Sequence, residues 1–129
     1  MSPAICANRI RPLAICVFYR DRRILVNEAH DPLTGQTFYR PLGGGIEFGE
    51  TSVKAIAREI REEIGAEVTQ LRLLGTLESL FTFSGVAGHE IVQVYDGESQ
   101  TKHRCRCTQT VCWRSFSNRL QRKPPKNSE

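Results

Sequence analysis

The chain has 129 residues, of which 40% are hydrophobic and 25% charged, so it is long enough for one domain with a buried core and too short for two. No apolar run approaches the roughly 20 residues that span a bilayer, and the N-terminus lacks a basic region followed by an apolar block, which predicts a cytoplasmic protein with no membrane partner. The formal net charge of +4 is compatible with a nucleic-acid partner, but the distribution of the charge argues against one.

The basic charge is concentrated at the C-terminal end. Residues 1–98 carry 10 Lys or Arg and 13 Asp or Glu, a balance of −3, whereas residues 99–129 carry 8 Lys or Arg and only Glu129, a balance of +7. We therefore predict a domain core over residues 1–98 and an atypical basic tail over residues 99–129. Nucleic acid is not the expected partner.

The cysteines divide in the same way between the body and the tail. Their odd number argues against a disulfide framework. The tail cysteines and a nearby histidine lack the closely spaced cysteine pair of a typical zinc site, so zinc is not assigned. These residues are Cys6, Cys16, His103, Cys105, Cys107 and Cys112.

The first half of the chain indicates a sheet. Residues 11–19 are rich in β-branched and aromatic side chains and predict a buried strand. A polar turn over residues 20–23 leads to residues 24–26, which we expect to be the hairpin partner of that strand. Residues 30–36 contain Asp-Pro and Thr-Gly and predict a loop.

The central stretch, residues 43–66, reads GGGIEFGETSVKAIAREIREEIGA. Three glycines form a loop that can approach a ligand closely. Thr51 or Ser52 is the predicted N-cap of a helix, and Gly65 is its predicted left-handed end. One buried stripe is predicted along the helix, formed by Val53, Ile56, Ala57, Ile60 and Ile64.

Three carboxylates lie beside this stripe. At about 100° per residue, Glu59, Glu62 and Glu63 share an arc of roughly 100°. Carboxylate oxygens hold hard divalent cations such as Mg²⁺, with waters and substrate phosphates completing the shell. The plain alternative is a solvated helix with ordinary surface glutamates.

The sequence after the helix predicts more strands. Apolar positions over residues 67–78 and an extended segment at residues 80–83 are followed by a turn over residues 84–88 and a returning strand over residues 89–95. We therefore expect a long hairpin after the helix.

The central stretch resembles the signature of the Nudix hydrolases. Every charged and glycine position from Gly44 to Gly65 is present at the family's spacing, and the one departure is Ala66, where the family usually has a larger aliphatic residue. The resemblance covers residues 11–98 and implies an α/β fold, an α/β/α sandwich around a mixed β-sheet.

In the family, the tail usually adds a strand, a carboxylate-bearing loop and a closing helix, which the sequence of residues 99–129 does not suggest. A reading-frame shift, truncation or replacement would explain this, and so would a basic, partly disordered tail that evolved normally.

The resemblance also implies an activity: Mg²⁺-dependent hydrolysis of a nucleoside diphosphate linked to another group, with Mn²⁺ as a substitute. The implied metal ligands are Glu59, Glu62, Glu63 and the Gly43 carbonyl. Glu50 and Arg58 would orient the carboxylates. The general base stays open among Glu62, Glu63, Glu90 and Glu98.

Substrate contacts are predicted on both sides of the glycine loop. The backbone at Gly44 and Gly45 can approach the ligand, and Arg40 can either bind its phosphates or form a salt bridge with a glutamate. Phe81 or Phe83 can stack on a nucleobase, although an aromatic residue in a strand more often belongs to the core.

Two further hypotheses and two open questions remain. The chain can instead be a non-catalytic Nudix-like module that binds a nucleotide and regulates a partner, or the basic tail can engage nucleic acid with a steep salt dependence. The substrate is open among nucleoside triphosphates, ADP-ribose, dinucleoside polyphosphates and nucleotide sugars. A homodimer is consistent with the resemblance, but the sequence does not decide the oligomeric state.

Overall fold

The computed structural model describes residues 8–99 and 111–115. The single helix of this part of the chain is α1 (Ser52–Ile64). The strands are β1 (Ile10–Val17), β2 (Tyr19–Arg20), β3 (Arg23–His30), β4 (Thr37–Gly45), β5 (Val68–Phe83), β6 (Val86–Ser99) and β7 (Val111–Arg114).

All seven strands belong to one sheet, in the order β2-β3-β4-β1-β6-β5 with β7 on β3. Strand β1 runs parallel to β6 and antiparallel to β4, so the sheet is mixed. The mixed sheet and its helix confirm the predicted α/β architecture. The predicted hairpin was wrong in part, because only the two-residue β2 pairs with β3 across the polar turn, while β1 pairs with β4 and β6.

Helix α1 has the predicted ends. Thr51 is the N-cap, and its hydroxyl accepts a hydrogen bond from the backbone N–H of Lys54 at 3.3 Å. Gly65 ends the helix with φ 65°, and its N–H donates to the Arg61 carbonyl. The local capping chemistry therefore fixes the length of the helix.

The buried stripe of α1 is rotated relative to the prediction. Its fully buried residues are Ala55, Ile56, Glu59 and Ile60. Val53 is 45% exposed, so the prediction that it is buried was wrong. At about 100° per residue, Val53 is within about 20° of the fully buried Ile60, and Ile64, which lies farther round, packs against the core. Val53 differs from both in lying in the first turn of the helix.

Two apolar clusters lie on opposite sides of β1. One joins β1 to α1 and to β4 through Ala14, Cys16, Leu42, Ile56 and Ile60. The other comprises Leu13, Ile15 and Val92, with Val94 packed against it. Alternation of side chains along the central strand thus gives both faces a core.

The hairpin predicted after the helix is present, with a tighter turn than expected. Strands β5 and β6 meet at Ser84 and Gly85, which have φ 51° and 77°.

Within the tail, Val111 is buried in the core and β7 pairs antiparallel with β3. Residues 100–110 and 116–129 lie outside the described residues, and the hypotheses about the origin of the tail stay predictions. Over residues 8–99 and 111–115, no helix is long and apolar enough to cross a membrane.

Candidate active site

The end of β4 passes directly beneath α1 and is made of glycines. Gly43 has φ 147°, and a Cβ there would collide with the Ala14 carbonyl oxygen. A Cβ on Gly44 would lie 2.6 Å from the Glu59 carboxyl group. Gly43 requires glycine because its φ is positive and the backbone of the neighbouring strand occupies the space, whereas a side chain at Gly44 would displace the Glu59 carboxyl group.

Arg58 links the glutamates of the stretch to the glycine loop. Its guanidinium binds Glu50 through two parallel hydrogen bonds, Nε to Oε2 and Nη2 to Oε1, both 2.9 Å. Nη2 also donates to the Gly45 carbonyl at 3.1 Å, and Nη1 donates to Glu59 Oε1 at 3.0 Å. The hydrogen-bonded guanidinium lowers the pKa of Glu50 to about 2. Arg58 therefore connects Glu59 to the glycine loop through hydrogen bonds.

Glu59 and Glu63 present buried carboxylate oxygens toward the same region. Glu59 is 4% exposed, and within the described chain the Oε2 atoms of Glu59 and Glu63 have no hydrogen-bond partner. Burial, reinforced by the charge of Glu59, raises the pKa of Glu63 to about 7 against the opposing effects of Arg40 and of a hydrogen bond from the Gly43 backbone. Two buried acceptors without partners are costly unless a cation or donor joins them.

Glu62 lies apart from this pair. Its side chain is 57% exposed, and its Oε2 is 3.6 Å from Arg58 Nη1. Across the described ranges, no three His, Cys, Asp or Glu side chains come together as a metal-binding cluster. Mg²⁺ is nevertheless commonly bound by one or two carboxylates plus waters and substrate phosphates, so the unpartnered oxygens of Glu59 and Glu63 fit such an ion.

A cavity of about 280 Å³ lies beside the candidate metal site. It is lined by Asn27, Ala29, Phe38, Tyr39, Arg40, Ser79, Phe81, Thr82, Phe83 and Glu90. Arg40 belongs to this lining and its charge also acts on Glu63, so the same guanidinium is near both the cavity and the carboxylates. A volume of this size is close to the lower range of small-molecule sites.

An aromatic residue in a strand more often belongs to the core, but Phe81 and Phe83 line the cavity instead. Phe81 and Phe83 are partly exposed, line the cavity and do not belong to either core cluster. The Phe81 ring lies over Gly88, where a Cβ would collide with it. The absence of a side chain on β6 at this point leaves room for the ring.

The four candidates for the general base have different surroundings. Glu90 is 8% exposed in the cavity wall, 4.0 Å from the Arg11 guanidinium, whereas Glu98 is exposed near the end of β6. Glu62 is exposed beside Arg58, and Glu63 is the buried group with the raised pKa.

Sequence reasoning missed Asn27 and Phe38 as cavity residues. Asn27 is directly opposite Arg40 in the β3-β4 pair, and Phe38 is opposite Ala29. The register of the β3-β4 pair places both residues in the cavity wall. The sequence predicts only the loop between these strands and not their register.

Two features define the class of the protein. One is the mixed sheet, and the other is the glycine turn that joins its central strands to a helix with paired glutamates. The family model described as NUDIX domain matches residues 9–119, so the chain belongs to the Nudix family. Nudix hydrolases generally use divalent metal ions. The fold is accordingly of the Nudix type, as the sequence predicted.

Relatives matched in sequence include proteins with the name NAD-capped RNA hydrolase NudC. The chain is 38% identical over 82 residues to the protein of Mycobacterium tuberculosis strain H37Ra, covering 62% of this chain and 25% of the relative. It is 37% identical over 68 residues to the protein of Vibrio vulnificus, covering 53% of this chain and 25% of that relative. The chain thus spans about a quarter of the length of the curated relatives it matches.

Solved structures agree with the fold. A MutT NUDIX hydrolase from Burkholderia pseudomallei superposes with a TM-score of 0.60 at 25% identity, covering 82% of this chain and 83% of that one. A putative Nudix family member from Chromobacterium violaceum superposes with a TM-score of 0.59 at 21% identity, covering 85% of this chain and 66% of that one.

Proposed function

We propose that the protein is a Mg²⁺-dependent pyrophosphohydrolase that cleaves a nucleoside diphosphate linked to another group. The observation that carries the proposal is the pair of buried, unpartnered oxygens, Glu59 Oε2 and Glu63 Oε2, next to the glycine loop. When bound there, Mg²⁺ would neutralise diphosphate charge and lower the pKa of a bound water. Mn²⁺ would substitute for it, since both ions favour oxygen ligands.

The residues around the metal position have distinct roles in the proposal. Glu59 and Glu63 hold the ion with the Gly43 carbonyl, while Arg58, fixed by Glu50, orients Glu59. Since Arg58 Nη1 is 3.0 Å from Glu59 and 3.6 Å from Glu62, Glu62 lies at the solvent edge of the same group.

Glu62 is the proposed proton acceptor. Its exposure lets it exchange protons with solvent. A water molecule attacks one phosphorus, the new P–O bond forms as the anhydride P–O bond opposite it breaks, and the proton of the water passes to Glu62.

The substrate lies along the line from the carboxylates to the cavity. The Arg40 guanidinium is permanently charged, lines the cavity and acts on Glu63, and its paired donors suit phosphate oxygens. Phe81 contributes to the wall around the non-phosphate group. Gly44 and Gly45 do not line this cavity, because their backbone lies against the Glu59 carboxyl group and the Arg11 guanidinium. Because the sequence relatives are named for NAD-capped RNA, NAD⁺ is the first compound to test.

A screen with a matched control tests the activity. NAD⁺, ADP-ribose, dinucleoside polyphosphates, nucleotide sugars and nucleoside triphosphates are incubated with Mg²⁺, and the products are separated by chromatography. Glu63→Gln should abolish the metal-dependent rate, and Glu67→Gln, which removes a charge paired with Arg61 outside the glycine loop, should not. Equal rates for wild type and Glu63→Gln would refute the enzyme proposal.

One observation favours the non-catalytic alternative. Glu62 does not join Glu59 and Glu63 in a three-carboxylate cluster in the described chain. A binding module would therefore bind metal and nucleotide without product formation by the wild type, and the same screen detects that outcome.

A further inference from the structure

A buried carboxylate outside the candidate metal site is Asp31, the first residue of the β3-β4 loop. It is 6% exposed. Its Oδ1 accepts hydrogen bonds from the backbone N–H of Leu33 at 2.9 Å and of Thr34 at 3.4 Å. Its backbone carbonyl also accepts from the Gly35 N–H at 2.8 Å. One oxygen of the side chain thus closes its own loop, a common role for aspartate.

The second oxygen of Asp31 leaves that loop. Oδ2 accepts a hydrogen bond at 3.2 Å from the backbone N–H of Ser84, which is 53 positions away in the β5-β6 turn. The two turns are also close at Gly85, where a Cβ would be 3.2 Å from Leu33 Cδ1. A residue that only closed its own loop would need one oxygen, whereas Asp31 uses both and ties two turns together.

Each of the joined turns leads into an aromatic residue of the cavity. Phe38 follows the Asp31 loop on β4, and Phe83 precedes Ser84 on β5. Their rings meet edge to face, with centroids 5.6 Å apart and an interplanar angle of 86°. The relative position of the two turns therefore sets the position of this part of the cavity wall.

We propose that Asp31 is a positioning residue for the substrate: by joining the two turns it holds Phe38 and Phe83 where the cavity accepts a planar aromatic ring. This inference rests on the proposed function only in assigning the cavity to the non-phosphate part of the substrate. Hydrogen bonds, first of all from Leu33, lower the pKa of Asp31, so both of its oxygens remain acceptors at neutral pH.

The variant Asp31→Asn tests the hydrogen bond between the two turns separately from the hydrogen bonds within the Asp31 loop. An amide has one accepting oxygen and one donating nitrogen, so it cannot accept from Leu33 and Ser84 at opposite ends. Asp21→Asn makes the same change at an exposed turn residue with φ 50° and serves as the matched control. Ser84→Gly keeps the donating N–H and relieves a φ of 51°, so it tests whether any change in this turn has the same effect.

Calorimetric titration of folded protein with two probes is the test. AMP has an aromatic base, and tripolyphosphate has none; both are titrated in the presence of Mn²⁺. We expect Asp31→Asn to weaken AMP binding by about fivefold, the order of one lost aromatic contact, with less than about a twofold change for tripolyphosphate. Asp21→Asn and Ser84→Gly should bind both probes as the wild type does. Hydrogen exchange should become faster at Ser84 in Asp31→Asn.

Other results would overturn the inference. These are equal losses for both probes, unchanged AMP binding in Asp31→Asn, or wild-type protein that does not bind AMP. Failure of the proposed function has a different signature: AMP binding with the expected response of Asp31→Asn, but no hydrolysis of any diphosphate compound.

Discussion

Glu63→Gln should make the metal-free protein more stable while it removes activity. In the folded chain, burial and the neighbouring Glu59 raise the pKa of Glu63 from its ordinary 4.5 to about 7. At 1.36 kcal/mol per pKa unit, the charged form of Glu63 destabilises the folded state by about 3 kcal/mol above pH 7. Partial exposure of the side chain reduces this loss of stability to about 1–2 kcal/mol. Glutamine keeps the size of the side chain and an oxygen that can accept from the Gly43 backbone, but has no charge.

The pH dependence of this effect has a defined sign. Because the folded pKa lies above the unfolded value, the folded state binds more protons between pH 4.5 and about 7, and the stability of the wild type falls as pH rises through that window. The stabilisation by Glu63→Gln should therefore be largest at pH 8 and small at pH 5.

Thermal unfolding in EDTA measures the prediction. A gain of 1–2 kcal/mol corresponds to about 3–8 °C in Tm for a domain of this size. The control is Glu62→Gln, which removes the neighbouring but 57% exposed charge and should change Tm by less than about 1 °C. A Glu63→Gln protein that is no more stable than the wild type at pH 8, or equally stabilised at pH 5 and pH 8, would refute the reasoning.

Three other variants probe the surroundings of the site. Arg58→Lys loses the paired hydrogen bonds to Glu50, so kcat/KM should fall by about 10–100-fold in steady-state assays, and an unchanged value would contradict an orienting role. Gly44→Ala pushes a methyl group against the Glu59 carboxyl group, so Mn²⁺ affinity measured by electron paramagnetic resonance should fall by about tenfold or more; wild-type affinity would show that Glu59 does not hold the ion. Val111→Ala shortens a side chain that is 3% exposed in β7 and should lower the free energy of unfolding by about 2 kcal/mol in urea, whereas no loss would mean that β7 does not pack against the core.

The helix was predictable because its signals are local. Thr51 and Gly65 act within four residues of the chain, and the spacing from Gly44 to Glu63 fixes the glycine loop relative to the helix. The error at Val53 has a physical source: helical periodicity shows which side of a helix is apolar, but not how far along the helix the core extends. Val53 lies in the first turn of α1 and is exposed, whereas Ile60 on the same side is fully buried.

The sequence predicted most strands of the sheet but not how those strands pair with each other. The long β5-β6 hairpin follows from neighbouring segments joined by a turn. The parallel pairing of β1 with β6 joins Ile10 to His89, and no local signal specifies a contact across that distance. Strand β7 was equally hidden, because four residues in a basic stretch become a strand only through the exposed edge of β3 that they cover.

The cavity depended on the same long-range pairing. Phe81 and Phe83 occur at strand positions typical of a core, and what places them in a cavity wall is the missing side chain at Gly88 and the nearby loop of Asp31. The sequence alone predicted a metal-binding role for the carboxylates, which stays a prediction, but it did not predict the shape of the space beside them.

The central claim is that Glu59 and Glu63 together hold a divalent cation that hydrolysis requires. The most direct measurement is Mn²⁺ binding by electron paramagnetic resonance, run in parallel with hydrolysis of NAD⁺ and the other diphosphate compounds, on the wild type, Glu59→Gln, Glu63→Gln and Glu67→Gln. We expect the wild type and Glu67→Gln to bind the ion and release products, and both the Mn²⁺ affinity and the metal-dependent rate to fall together in the other two variants. Unchanged Mn²⁺ affinity in Glu59→Gln and Glu63→Gln would contradict it.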